Sequence, residues 1–179
     1  MTATEHVILV DENDKPVGTA EKLKAHQDSL CHRAFSVFIF RYTKQLEVLL
    51  QQRAPHKYHS PLLWTNTCCS HPRPGEEVIV AGQRRLYEEM GIKAILTAAG
   101  RFHYIAHFNN GLTENEIDHV LIGNLEETAF SPNPDEVAAF RWVAVDDLKI
   151  ELREHPQHFT PWFNQAFEIA LSKHKNKNS

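Results

Sequence analysis

The stretch Trp64-Thr65-Asn66-Thr67-Cys68-Cys69-Ser70-His71-Pro72 gathers two thiols, three hydroxyls and an imidazole. On an extended chain successive side chains face opposite ways, so Cys69 and His71 point together while Cys68 and Ser70 point to the other side. A thiol beside an imidazole can exchange a proton or bind a metal; a buried cysteine can equally be a small apolar packing residue. Glu114-Asn115-Glu116 repeats the same spacing with carboxylates. Two carboxylates so close repel unless a proton or a cation lies between them, and otherwise they belong to a solvated loop. Together with His26, His32 and His71 they give three imidazoles and two carboxylates, a set suited to zinc, manganese or iron rather than calcium.

A third group sits on a predicted helix, where Arg85 and Glu89 are four residues apart and share a face with Glu88 beside them. Alone they would be a surface ion pair. Around them the chain runs Ser70, five residues, Glu76, seven residues, then Arg84-Arg85-Leu86-Tyr87-Glu88-Glu89-Met90-Gly91-Ile92. This resembles the Nudix box, Gly-x5-Glu-x7-Arg-Glu-U-x-Glu-Glu-x-Gly-U with U apolar, except that Ser70 replaces the first Gly and Arg85 replaces the Glu after the Arg. A Nudix hydrolase collects carboxylates around magnesium to drive water onto phosphorus. A guanidinium among them repels the cation and offers a fork to phosphate oxygens. Such a site should hold a diphosphate without cutting it.

These segments in this order, with Glu21-Lys22, Ala25-His26, His32-Arg33-Ala34-Phe35-Ser36 and Thr160-Pro161-Trp162, resemble the type 1 isopentenyl diphosphate isomerases from about Glu5 to Phe167. The resemblance implies conversion of isopentenyl diphosphate to dimethylallyl diphosphate in isoprenoid biosynthesis. It implies Cys69 and Glu116 as the acid/base pair, with Tyr104 assisting Glu116. The metal ligands would be His26, His32, His71, Glu114 and Glu116, holding manganese or zinc. Glu89 would hold a magnesium ion bridging to the diphosphate, and Lys22, Arg53, Lys57 and Arg85 would form the cationic clamp. Trp162 would line the hydrocarbon pocket. Two rivals compete with this reading: a Nudix hydrolase of a nucleoside diphosphate derivative, and a non-catalytic binding module whose histidines close the fold around a metal.

The elements that must position these residues follow from pattern and composition. With 179 residues, 42% apolar and 23% charged, the chain reads as one domain over 1–171, followed by a polar, flexible tail over 172–179. A net charge of -4 argues against nucleic acid or a polybasic membrane patch and is compatible with a small anionic ligand; the resemblance implies a small diphosphate as the partner, and a monomer is the favoured state. Three cysteines and no long apolar run fit a mature cytosolic protein. Val7 to Val10 and Val17 to Ala20 read as a hairpin, and Ala34 to Phe40 and Leu46 to Leu50 as strands buried on both faces. Glu76 and Glu77 open a helix running to Met90 with Gly91 as its cap. Strands are expected over Arg101 to His107, Ile117 to Leu125 and Val137 to Val145. Asp146 is expected to cap a helix through Glu154, and Thr160-Pro161 to begin a last one. The pattern is α+β with an α/β-like mixed sheet: a Nudix-like fold with one long helix against the sheet and further helices flanking it.

Overall fold

The computed structural model describes residues 4–125 and 129–177. The apolar run of the N-terminal segment folds into an antiparallel hairpin, β1 (His6–Val10) with β2 (Pro16–Glu21), in which Val7 faces Ala20 and Leu9 faces Gly18. Its turn is closed by Asp11, whose carboxylate accepts the N–H groups of Asn13 and Lys15, each at 2.9 Å. A short helix α1 (Lys22–Gln27) precedes β3 (His32–Tyr42), and β4 (Leu46–Arg53) follows. Then come β5 (Trp64–Thr65), β6 (Cys68–Ser70), α2 (Val78–Met90), β7 (Thr97–His107), β8 (Thr113–Asn124), β9 (Val137–Ala144), α3 (Val145–Glu154) and α4 (Phe163–Lys177).

Strand β3 is the axis of the sheet. One edge runs parallel to β8, from His32 beside Glu116 to Phe40 beside Asn124. The other edge pairs with β4 only between Ile39–Leu49 and Tyr42–Leu46, after which the two strands part. The Trp64 to Ser70 segment fills the wedge: β6 pairs with β3, Cys69 opposite Ser36, and β5 pairs with β4. At the fork the Thr67 hydroxyl accepts the Ile39 N–H at 2.9 Å and donates to the Leu49 carbonyl at 2.6 Å. It thereby satisfies backbone groups that the split would leave unpaired in the interior.

The near-continuous apolar runs of β3 and β4 are buried on both faces, as their sequences require. Phe35, Val37, Ile39 and Leu49 pack with Ala81, Leu86 and Met90 of α2, while Phe38, Phe40, Val48 and Leu50 pack with Phe163, Ala166 and Phe167 of α4. Helix α2 lies so close to the sheet that a Cβ on Gly82 would meet Leu121 Cδ1 at 2.6 Å. This packing fixes the height of Arg85 and Glu89 above the strands. Gly91, at φ 70°, ends α2 in the left-handed region that its missing Cβ permits.

Several boundaries differ from the sequence expectation. Helix α2 begins at Val78, with no acidic residue in its first turn. Glu76 instead accepts the Arg73 N–H at 2.9 Å and pairs with Arg84 at 2.7 Å, bonds that its position before the helix makes available. Asp146 lies in the first turn of α3, favourable to the macrodipole, while Ala144 occupies the cap position without a side-chain bond. Helix α4 runs on to Lys177, so most of the segment expected to be a flexible tail is helical; the His174 ring lies tilted against Phe40, centroids 4.6 Å apart, and reaches Asn124 Oδ1 at 3.3 Å. Positions 178–179 lie outside the described residues. No helix among the described residues is long and apolar enough to cross a membrane.

Candidate active site

Strand β8 carries Glu114, Glu116 and Asp118 on one face by its period of two, and all three are buried. Its antiparallel neighbour β7 sets Tyr104 directly opposite Glu116. Tyr104 donates its hydroxyl to Glu116 Oε2 at 2.7 Å and lies 2.5 Å from Glu114 Oε2. Burial, reinforced by both carboxylates, drives the Tyr104 phenol well above its ordinary range, so it remains a donor.

Three histidines converge on the same carboxylates from three elements. His26 comes from α1, His32 from the start of β3 and His71 from just beyond β6. The Nδ1 atoms of His26 and His32 meet the carbonyls of Lys22 at 2.7 Å and Leu30 at 2.8 Å, which requires N–H there and, in the neutral ring, turns the Nε2 lone pair toward the carboxylates. His32 Nε2 is 3.1 Å and His71 Nε2 is 2.8 Å from Glu116 Oε1, distances at which a proton or a cation must lie between nitrogen and carboxylate. His26 Nε2, wholly buried, has no hydrogen-bond partner among the described residues and stands 3.9 Å from Glu116 and 4.0 Å from Glu114. Donor atoms of His26, His32, His71 and Glu116 all fall within 4.8 Å of one another. An orphaned imidazole nitrogen aimed at carboxylate oxygens is the signature of a cation site, and this donor set fits a divalent metal.

Without a cation, burial opposes ionisation of Glu116, but His71 and His32 hold its carboxyl well below the usual range. Burial depresses His71 to about 3. For His32 burial works the same way, but its bond to Glu116 wins and raises it.

Sequence reasoning missed His59. Its Nε2 lies 2.9 Å from Glu114 Oε1, and His26, His59 and Glu114 form a second group of convergent donors. The signal in the sequence was slight, because His59 lies in the irregular segment between β4 and β5, where no period assigns it a face.

The remaining residues singled out in the sequence close on one cavity of about 60 Å³, lined by Lys22, Arg53, Lys57, Cys69, His71, Arg85, Glu89, Tyr104, Glu114, Glu116 and Trp162. His26 and His32 stand buried behind it. Cys68 and Cys69 separate as the strand alternation demands: Cys68 enters the α2 core, and Cys69 packs on the α4 side. Burial pushes the Cys69 thiol up to about 12, the nearby Arg53 charge only partly opposing it. Arg53 Nη1 approaches Cys69 Sγ at 3.8 Å, and its guanidinium lies 5.7 Å from the Trp162 ring. Trp162 is held by donating Nε1–H to Asn66 Oδ1 at 3.2 Å.

Each of the other cations already holds a carboxylate. Lys22 pairs with Glu5 at 2.8 Å, Lys57 pairs with Glu136, and Arg85 reaches Glu88 at 2.8 Å, Glu89 at 2.5 Å and Glu136 at 3.3 Å. Glu89 also accepts from Gln51 Nε2 at 2.9 Å. Burial works against the charge on Arg85, but the surrounding carboxylates hold it strongly. Glu136, in the loop before β9, was not anticipated from the sequence.

A family model, the NUDIX domain, matches residues 31–163. The isopentenyl-diphosphate Delta-isomerase of Photobacterium profundum is 48% identical over 176 residues, covering 97% of this chain and 98% of that protein. The isopentenyl-diphosphate Delta-isomerase of Pectobacterium atrosepticum is 48% identical over 167 residues, covering 93% and 91%. Among solved structures, the MutT protein from Methanosarcina mazei superimposes with a TM-score of 0.62 at 18% identity, over 83% of this chain and 96% of that one. DR0079 from Deinococcus radiodurans gives 0.67 at 17% identity, over 84% and 90%. At those identities the likeness shows a shared fold.

Proposed function

The chain belongs to the isopentenyl-diphosphate Delta-isomerases, a family built on the NUDIX domain, and from that premise we propose that Cys69 and Glu116 carry out the proton transfers of the reaction. The protein isomerises isopentenyl diphosphate to dimethylallyl diphosphate. The observation that carries the assignment of roles is that Cys69 and Glu116 line one narrow cavity with Tyr104 and Trp162. The isomerisation adds a proton at C4 and removes one from C2, through a tertiary carbocation-like state. One member of the pair donates while the other accepts, and their roles exchange in the reverse direction. Two groups on opposite sides of the substrate do this without turning it over.

The cation must be kept from water, which would trap it as an alcohol. A small cavity walled by Trp162 and Tyr104 serves that end, and the Trp162 π face adds attraction for positive charge of about 0.5 to 2 kcal/mol. Tyr104 holds Glu116 in place by its hydrogen bond.

His26, His32, His71, Glu114 and Glu116 would hold manganese or zinc, and Glu89 would hold magnesium with the substrate. Bound there, these ions would neutralise the diphosphate and the clustered carboxylates. Lys22, Arg53, Lys57 and Arg85 clamp the diphosphate, exchanging carboxylate partners such as Glu5 and Glu136 for phosphate oxygens. Arg85 gripping Glu88 also speaks against phosphorus chemistry, because it takes up a carboxylate that a hydrolase would give to magnesium. The reading takes the protein to be a cytosolic monomer. Incubating purified protein with isopentenyl diphosphate and magnesium, and identifying the products by NMR, tests it: dimethylallyl diphosphate is expected, and inorganic phosphate in its place would contradict it.

A further inference from the structure

Asp118 is a buried carboxyl that the proton transfers leave idle, although it lines the same cavity as Cys69 and Glu116. It continues the Glu114, Glu116 series along one face of β8. One of its oxygens, Oδ2, accepts the Ser36 hydroxyl at 2.7 Å, while Oδ1 is buried with no partner among the described residues. A buried carboxyl oxygen without a partner is costly unless something in the working enzyme bonds to it.

Sheet register shows which group can. Ser36 on β3 sits directly opposite Cys69 on β6, and Ala34, on the same face as Ser36, sits beside Asp118 on β8. Residues directly opposite in an antiparallel pair have Cβ atoms about 4.5 to 5.5 Å apart. Cys69 and Ser36 thus lie side by side, and the Ser36–Asp118 hydrogen bond joins a third strand to them. Cys69 Sγ accepts from Arg53, while no hydrogen bond among the described residues uses its thiol proton. A thiol proton without an acceptor and a carboxyl oxygen without a partner thus face one small cavity.

We propose that Asp118, anchored by Ser36, is a positioning residue for Cys69: its Oδ1 takes the thiol proton's hydrogen bond, directly or through one water, and so fixes where that proton points before substrate enters. Ser36 locks the carboxyl so that only Oδ1 is available. Among the described residues Asp118 bonds to neither the cationic clamp nor the histidine group, so its effect falls on the proton-transfer step and not on substrate or metal binding. The inference rests on the Cys69/Glu116 isomerase reading.

The test compares wild type with Asp118→Asn and Ser36→Ala, measuring kcat and KM for isopentenyl diphosphate, metal content and Tm. Asp118→Asn keeps the shape but can turn an amide donor toward the thiol. A fall in kcat of about tenfold or more is expected, with KM within twofold of wild type and with metal content and Tm retained. Ser36→Ala should lower kcat less, and the double variant should be no slower than Asp118→Asn, because both changes break one unit. Unchanged kcat in Asp118→Asn overturns the proposal. So does a loss that follows metal content or Tm, or one that appears in KM alone. Should Asp118→Asn fail to fold, Ser36→Ala decides by the same kcat and KM criterion. An inactive wild type would instead refute the isomerase reading itself.

Discussion

Tyr104 donates its hydroxyl to Glu116 Oε2 at 2.7 Å across the β7–β8 pair, and the two residues are direct cross-strand partners. The bond is therefore set by strand register and does not depend on a flexible loop. Tyr104→Phe removes it while keeping the ring. A hydrogen bond to a charged group contributes about 1.5 to 3 kcal/mol, so kcat should fall roughly tenfold to a hundredfold. Steady-state kinetics with isopentenyl diphosphate check this, and kcat within twofold of wild type would show that Tyr104 only packs against Trp162.

The separation of the adjacent cysteines gives a second expectation. Cys69→Ala should abolish nearly all isomerase activity, whereas Cys68→Ala and Cys31→Ala should retain most of it. Cys68 is wholly buried in the α2 core, so its truncation should appear in Tm instead. Comparable activity losses at Cys68 and Cys69 in folded proteins would contradict the assignment.

How far the sequence foretold this site follows the strength of local periodicity. The hairpin, both central strands, α2 and its Gly91 cap all have strong patterns, and the structure contains them. The period of two also gave the opposed faces of Cys68 and Cys69. Helix α1, at six residues, is too short to register a helical period, yet it delivers both Lys22 and His26. The parting of β3 from β4 around Thr67 is a tertiary event with no local signature. His59 and Glu136 lie in irregular segments, where only the fold brings them to the site. Asp118 was legible in principle, since it extends the Glu114 and Glu116 alternation by one step.

Glu116 meets His32, His71 and Tyr104 at once, so it should serve both metal and proton transfer. Glu116→Gln should be inactive and should also bind manganese or zinc more weakly. His59→Ala leaves Glu114 without its 2.9 Å partner and should weaken metal binding about tenfold to a hundredfold, the usual cost of losing an orienting contact. Competition with a chelator reads both values. Full metal affinity in Glu116→Gln would contradict the shared role.

Arg85→Leu tests the clamp. Removing the fork should raise KM for the diphosphate about tenfold or more. It should also lower Tm, because buried Glu89 then loses its guanidinium partner. A fall in Tm with KM unchanged would make Arg85 a structural partner of Glu89 and nothing more.

The most direct measurement of the central claim distinguishes chemistry at carbon from chemistry at phosphorus. Run in D₂O, proton transfer by Cys69 and Glu116 must deliver solvent deuterium to carbon, so the dimethylallyl diphosphate formed should carry deuterium on a methyl group with its diphosphate intact. Wild type should show this labelling and Cys69→Ala should not. Release of phosphate or a monophosphate at the rate of substrate loss, with no deuterium on carbon, would contradict the account, because metal-activated water acts on phosphorus and leaves carbon–hydrogen bonds untouched.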